Sequence, residues 1–229
     1  IRFIAILFAL IMLLTPAISA TVPYSTYTYS IDGEVLNSPD AFVPQGIINS
    51  YTLKLDVGLK NPSDIEADGD GNLYITDKKN NRIVVVDKYY DAKFIIGDFI
   101  NQHGVDDRLN EPQSAFIHEY LDDNSKPQKE LFVCDTFNSR LVVFNANTGA
   151  FIREIKKPES DLFGEESRYS PVSCVVDKYG RIYVASNATT EGIIVMTNQG
   201  EFINFIGAPK VVLSALDMLI QMISPTMAE

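Results

Sequence analysis

An all-β array of repeated four-stranded units is what this 229-residue chain predicts, on three observations. Residues 61–97, 111–155 and 170–207 line up with one another, and each holds four short β-type runs separated by turn residues. Anchor positions recur: Pro62, Pro112 and Pro171 are 50 and 59 residues apart, and Asp77, Asp135 and Ser186 are 58 and 51 apart. The runs Ile83-Val84-Val85-Val86 and Leu141-Val142-Val143-Phe144 are apolar without interruption. A strand wetted on one face alternates apolar with polar residues, so an unbroken run implies neighbouring sheets on both faces. Four strands recurring at this period mark a propeller-type array of about three blades, whereas a β-sandwich would show no such correspondence between units.

Taken in order, residues 21–57 form a Tyr-rich β arm (Tyr24-Ser-Thr-Tyr-Thr-Tyr29) with a turn at Asp32-Gly33, expected to add a strand to a sheet edge or to lie along the surface. The propeller portion spans residues 58–207. In its first unit the strands are expected at residues 64–67, 73–76, 83–87 and 93–96. Asp68-Gly-Asp70-Gly-Asn72, Lys79-Asn-Asn81 and a loop around Tyr90 separate them. The third unit turns at Lys178-Tyr179-Gly180 and Asn198-Gln199-Gly200. Gly and Asn supply the positive φ that tight hairpins require. Residues 211–223 are apolar except at Ser214, Asp217 and Gln221, which form one stripe at helical spacing, so residues 208–229 are expected to carry an amphipathic helix. Three blades fall short of the about 4 to 8 of a closed propeller, and a partial propeller is expected.

The first twenty residues stand apart. Arg2 precedes an apolar run over residues 3–14, Pro16 breaks it, and Ala17, Ser19 and Ala20 are small. This is the layout of a secretory signal, and the run is shorter than the roughly 20 residues that span a bilayer. The chain is therefore expected to be exported to the cell surface or beyond. Its net charge of −11 argues against nucleic acid, whose phosphates require clustered cations.

In the first unit Pro62, Asp68, Gly71, Tyr74, Asp77, Asn80 and Arg82 follow the order Pro-x-x-φ, Asp-x-x-Gly-x-φ-Tyr-φ-x-Asp, Asn-x-Arg-φ-φ-φ-φ, where φ is apolar. The second unit keeps Pro112, Asp135, Asn138 and Arg140, with a polar insertion around residues 122–129 in its first hairpin. The third keeps Pro171, Asp177, Gly180 and Tyr183, but has Ser186 where Asp is expected and no Asn-x-Arg before Ile193. This pattern resembles the NHL repeat, a six-bladed-type propeller module, over residues 58–207. The whole layout is similar to exported NHL proteins of Gram-positive bacteria, some of which carry a Yip-type membrane domain further on. That resemblance implies a propeller fold. It leaves function open, because such propellers serve as scaffolds, binders and a few enzymes. At Asp77/Arg82 and Asp135/Arg140 it implies structural repeat positions whose side chains bind turn amides or each other.

Groups capable of chemistry are few. Asp68, Asp70 and Asn72 match the opening ligands of a calcium loop, but the sixth position is Leu73 rather than Gly and the closing position is Lys79, a cation. Two His, at 103 and 118, are too few for zinc. Cys134 and Cys174 occupy small apolar strand positions in different units; export permits a disulfide, but a bridge needs close Cα atoms. Metal-dependent lyases and lactonases of propeller type place ligands on inner strands, where the candidates are Asp64, Glu66 and His118. No catalytic residue, metal ligand or cofactor is assigned. The expected function is a non-catalytic extracellular scaffold presenting loops to a protein or glycan. The alternatives are a metal-dependent hydrolase or lyase, and the extracellular sensor part of a larger membrane protein attached through downstream sequence.

Overall fold

The computed structural model describes residues 26–38, 46–163, 167–187, 189 and 191–207. The expected signal (1–20) and amphipathic helix (208–229) lie outside the described residues. The chain divides into two compact units, residues 1–47 and 48–229. In the first, β1 (Thr26–Tyr29) and β2 (Val35–Ser38) form a two-stranded hairpin of their own among the described residues. Tyr27 and Tyr29 meet edge to face at 5.7 Å, and both rings are exposed.

The second unit contains three four-stranded antiparallel meanders. They are β3 (Pro62–Ala67) to β6 (Ala92–Ile96) through β4 (Leu73–Asp77) and β5 (Arg82–Val86); β9 (Ala115–Leu121) to β12 (Phe151–Ile155) through β10 (Pro127–Asp135) and β11 (Arg140–Asn145); and β13 (Pro171–Val176) to β16 (Phe202–Ile206) through β14 (Ile182–Ser186) and β15 (Ile193–Met196). A small hairpin, β7 (Asp98–Ile100) with β8 (Asp106–Arg108), links the first sheet to the second. Among the described residues the only helical turns are 3-10 turns at Lys78–Asn80 and Thr136–Asn138, and no helix is long and apolar enough to cross a membrane. The sheets are three blades of a β-propeller. Their third and fourth strands even share a register irregularity at corresponding places, Val85/Val86, Val143/Phe144 and Val195/Met196.

Blade stacking explains the unbroken apolar strands. Tyr74, Ile83, Val85 and Ile96 on one face of the first blade pack against Leu131, Val133, Val142 and Phe144 of the second. The second blade's opposite face, with Phe132, Cys134, Leu141 and Val143, packs against Cys174, Ile182, Val184, Ile194 and Met196 of the third. Each central strand thus loses water on both sides, and Ile83–Val86 and Leu141–Phe144 are fully buried. The first blade's outer face (Leu73, Ile75, Val84, Val86) is covered by Ile48, Leu53, Leu55 and Leu59 from the preceding segment.

Turn residues also seat one blade on the next. Gly200 has φ +88°, and a Cβ there would meet Ile155 Cγ2 of the second blade at 2.6 Å. Gly180 is also left-handed (φ +79°), but its nearest neighbour, Asn198 Cβ, would lie at 3.7 Å. Gly200→Ala is therefore expected to lose about 2–4 kcal/mol, combining left-handed strain with overpacking, and Gly180→Ala only about 1–2 kcal/mol. Urea unfolding of the two variants side by side checks this; equal losses would refute the proposed contact.

Candidate functional site

The strand directions sort the polar loops into two ends. At one end lie the turns after β4, β10 and β14, which carry the repeat aspartates and arginines. At the other lie the β3–β4, β5–β6, β9–β10, β11–β12, β13–β14 and β15–β16 hairpins.

At the first end a single construction appears twice. Asp77 is buried and takes three hydrogen bonds: Oδ1 accepts from the Lys60 amide at 2.6 Å, and Oδ2 accepts from Asn80 Nδ2 and Arg82 Nε, both at 2.8 Å. Asp135 does the same with the Asn110 amide (2.7 Å), Asn138 Nδ2 and Arg140 Nε (both 2.9 Å). Asn81 and Ser139 take the left-handed φ (55° and 54°) that returns each chain into the next strand. Each arginine then grips the segment leading into its blade. Arg82 donates to the Val57 carbonyl at 2.6 Å, and Arg140 forks onto Asp107 of β8 at 2.7 and 2.8 Å. Hydrogen bonds from Arg140 hold the Asp107 carboxyl well below the usual carboxylate range. Asp135 itself is raised, because burial outweighs its hydrogen bonds. In the third blade Ser186 Oγ accepts the corresponding amide, from Ser170, at 2.9 Å. The prolines stand at the blade entrances: Pro62 and Pro171 open β3 and β13, and Pro112 is buried in the loop before β9. These positions tie each blade to its own lead-in segment.

The inner-strand candidates are occupied in a different way. Asp64 Oδ2 accepts from the Ala115 amide at 3.0 Å, and Glu66 accepts from the Ile117 amide, so both carboxylates cover the open edge of β9. Burial and then the Asp64 charge raise Glu66 above the usual range. His118 lies one residue beyond Ile117, where strand alternation puts it on the opposite face of β9. There it stacks on Tyr120 (5.0 Å), meets Phe132 edge on and hydrogen-bonds the Asp177 backbone; burial lowers its pKa. The three side chains are therefore directed to two different blade seams. Among the described residues, no three His, Cys, Asp or Glu side chains gather in an arrangement suited to a metal ion.

The Asp68–Asn72 loop is a hairpin turn. Asp68 Oδ1 accepts from the Asp70 and Asn72 amides, and a side-chain ammonium stands where the calcium reading put a metal. Lys129 Nζ donates to Asp68 (3.1 Å) and Asp70 (2.7 Å) and pairs with Glu119 at 2.9 Å. Lys129 comes from the polar insertion in the second blade, so the insertion forms a clasp onto the first.

The second end carries a feature that unit-by-unit alignment hides. Asp87-Lys88-Tyr89 and Asp177-Lys178-Tyr179 are the same turn in non-equivalent hairpins. In each, the Asp Oδ1 accepts from the Tyr amide at 2.8 Å and from the amide two residues further on at 3.0 Å. Each lysine then lies over its tyrosine ring, at 5.2 and 5.0 Å. Tyr89 and Tyr179 are 72% and 73% exposed, which places two aromatic rings in solvent on hydrogen-bonded turns. Asp177 also takes hydrogen bonds from Arg181 Nε (2.7 Å) and Tyr183 Oη (3.1 Å), and its pKa falls to about 2 as these bonds and the turn amides outweigh burial.

These features define a repeat-built β-propeller whose charged groups mainly hold blades, with aromatic turns displayed at one end. Residues 59–86 match the NHL repeat, and the chain carries that repeat in its first blade. No curated protein sequence matches the chain. Among solved structures, it is similar to a protein of unknown function from Bacteroides caccae (11% identity, 61% of this chain and 46% of that one, TM-score 0.42). It is also similar to a functionally unknown protein from Desulfotomaculum acetoxidans (13% identity, 80% and 50%, TM-score 0.42). A third is the virginiamycin B lyase of Staphylococcus aureus (14% identity, 81% and 64%, TM-score 0.37). The chain spans half or less of the length of the first two proteins.

Proposed function

We propose that this chain is a non-catalytic, exported propeller scaffold whose hairpin end presents loops to a protein or glycan. The paired Asp-Lys-Tyr turns are the observation that carries the reading. An exposed tyrosine offers a large amphipathic face at low entropic cost, and here its backbone is already fixed by the preceding aspartate. A flanking cation beside each ring adds a donor for carbonyl, carboxylate or hydroxyl groups of a partner. The reading is also supported by the engagement of Asp64, Glu66 and His118 in blade seams.

Arrays of proteins and cell-wall glycans, probed with purified protein, test the proposal. Tyr89→Ala/Tyr179→Ala should weaken the captured interaction about tenfold or more, as loss of interface aromatics does, with thermal stability unchanged because both rings are exposed. Binding unaffected by the double substitution would remove these turns from the interface. Turnover of a lactone or an amidated peptide by the purified protein would overturn the scaffold reading itself.

A further inference from the structure

We propose that Cys134 and Cys174 form an interblade disulfide that locks the third blade onto the second. Cys134 is the residue before Asp135 on β10, and Cys174 lies on the inner strand β13. Forty residues separate them in sequence, yet both point into the seam between their blades, where they are buried in one cluster with Phe132, Leu141, Val184 and Ile194. The structure holds both as free, buried thiols in this seam, and Cys174 Sγ lies 4.0 Å from the Phe132 carbonyl on β10, two residues before Cys134.

The strand registers show how particular this juxtaposition is. Aligning Asp77, Asp135 and Ser186 makes Thr76 the counterpart of Cys134 and Ala115 the counterpart of Cys174. The first seam thus has Thr76 and Ala115 where the second has two thiols. The seams differ in their other ties as well. Lys129 with its carboxylates clasps the first, whereas Thr136 Oγ1 to the Pro171 carbonyl (2.7 Å) and Arg153 to Asn198 (2.5 Å) are hydrogen bonds crossing the second. The third blade also has Ser186 in place of the repeat aspartate. A covalent bond would therefore stand at the seam whose blade has lost a repeat anchor.

The chemistry is thiol–disulfide exchange with an oxidant of the disulfide oxidoreductase class. One cysteine thiolate attacks a sulfur of the oxidant, forming a mixed disulfide and releasing one oxidant thiolate. The other cysteine then attacks the protein sulfur of that mixed disulfide and releases the second. Two protein thiols become one disulfide, one oxidant disulfide becomes two thiols, and the cysteine protons pass to the released thiolates. Contact with Cys134 and burial push the Cys174 thiol well above its ordinary range. Cys174 is consequently a poor nucleophile in the folded, reduced chain, and the bond forms while the seam is still open during folding.

The test is to refold the full chain in a glutathione redox mixture, quench with acid, then denature and alkylate without reductant. The expected product is monomeric, about 2 Da lighter than the reduced chain, resistant to alkylation, and yields a Cys134–Cys174 cross-linked peptide after proteolysis. Its Tm should fall by roughly 5–15 °C on reduction, the range for losing a cross-link in a chain of this size. Cys134→Ala/Cys174→Val should show no response to reductant. Two alkylated thiols, a disulfide between chains, or a cross-link without a rise in Tm would each overturn the proposal. The measurements on the unsubstituted chain decide it even where the double variant does not fold.

Discussion

Replacing Asp135 with alanine is expected to lower stability by about 2–4 kcal/mol, the cost of leaving a buried donor unsatisfied and a charge-assisted hydrogen bond unmade. The carboxylate is fully buried and accepts from Asn110 N, Asn138 Nδ2 and Arg140 Nε. Its loss strands the Asn110 amide, which cannot turn to another acceptor, while Asn138 Nδ2 keeps the Arg108 carbonyl. Arg140 keeps Asp107 and Glu154, so the guanidinium is not left without counter-charge. The damage therefore falls on the segment leading into the second blade. Asp135→Asn keeps an oxygen for the amide and should cost less, while placing an NH2 group among donors. Chemical unfolding at neutral pH measures both, with Asp77→Ala as the equivalent change in the first blade. A loss below about 1 kcal/mol for Asp135→Ala, the range of exposed ion pairs, would mean that the network is ornamental.

Much of this architecture is legible in the sequence because it is local. Each Asp–Asn–Arg set spans six residues across a single turn, and the apolar runs of β5 and β11 announce burial on both faces. What crosses between blades is not legible in the same way. Lys129 stands 61 residues from Asp68, and in sequence it belongs to an insertion that reads only as a longer hairpin. Cys134 and Cys174 lie on strands of different rank within their units, and nothing in their spacing brings the two together until the blade faces are stacked. The inner-strand candidates show the converse. Asp64, Glu66 and His118 suggest a shared site because they sit on inner strands, but strand alternation sends His118 to the other side of β9. The Asp-Lys-Tyr turns are written plainly at residues 87–89 and 177–179. They escape a search by repeat because one closes an outer hairpin and the other an inner one.

Lys129→Met should open the first seam, with a loss of about 2–3 kcal/mol near neutral pH. The substitution keeps the apolar stem and removes only the ammonium. The side chain is 14% exposed and faces Asp68, whose carboxylate is fully covered; Asp70 and Glu119 are 72% and 42% exposed and add less. The figure accordingly sits below that for a wholly buried pair. Burial opposes charge on both Lys129 and Asp68. Hydrogen bonds with Asp70, Glu119 and Asp68 nevertheless hold the lysine above its ordinary range, and bonds from Asn72 and Lys129 hold Asp68 below the carboxylate range. The bond from Lys129 does the same for Glu119. A carboxylate depressed in the folded state contributes stability above its unfolded pKa of about 4, and that contribution fades as pH falls through the folded value. A lysine raised in the folded state contributes below about pH 10 and fades as pH rises further. The deficit of Lys129→Met is thus expected to be full between about pH 5 and 9 and to shrink as the pH is lowered below about 4, where the carboxylates it leaves behind take up protons. Urea titrations of both proteins at pH 7 and pH 3 test this directly. A deficit that is the same at both values would mean that the ion pairs of the clasp are not its source.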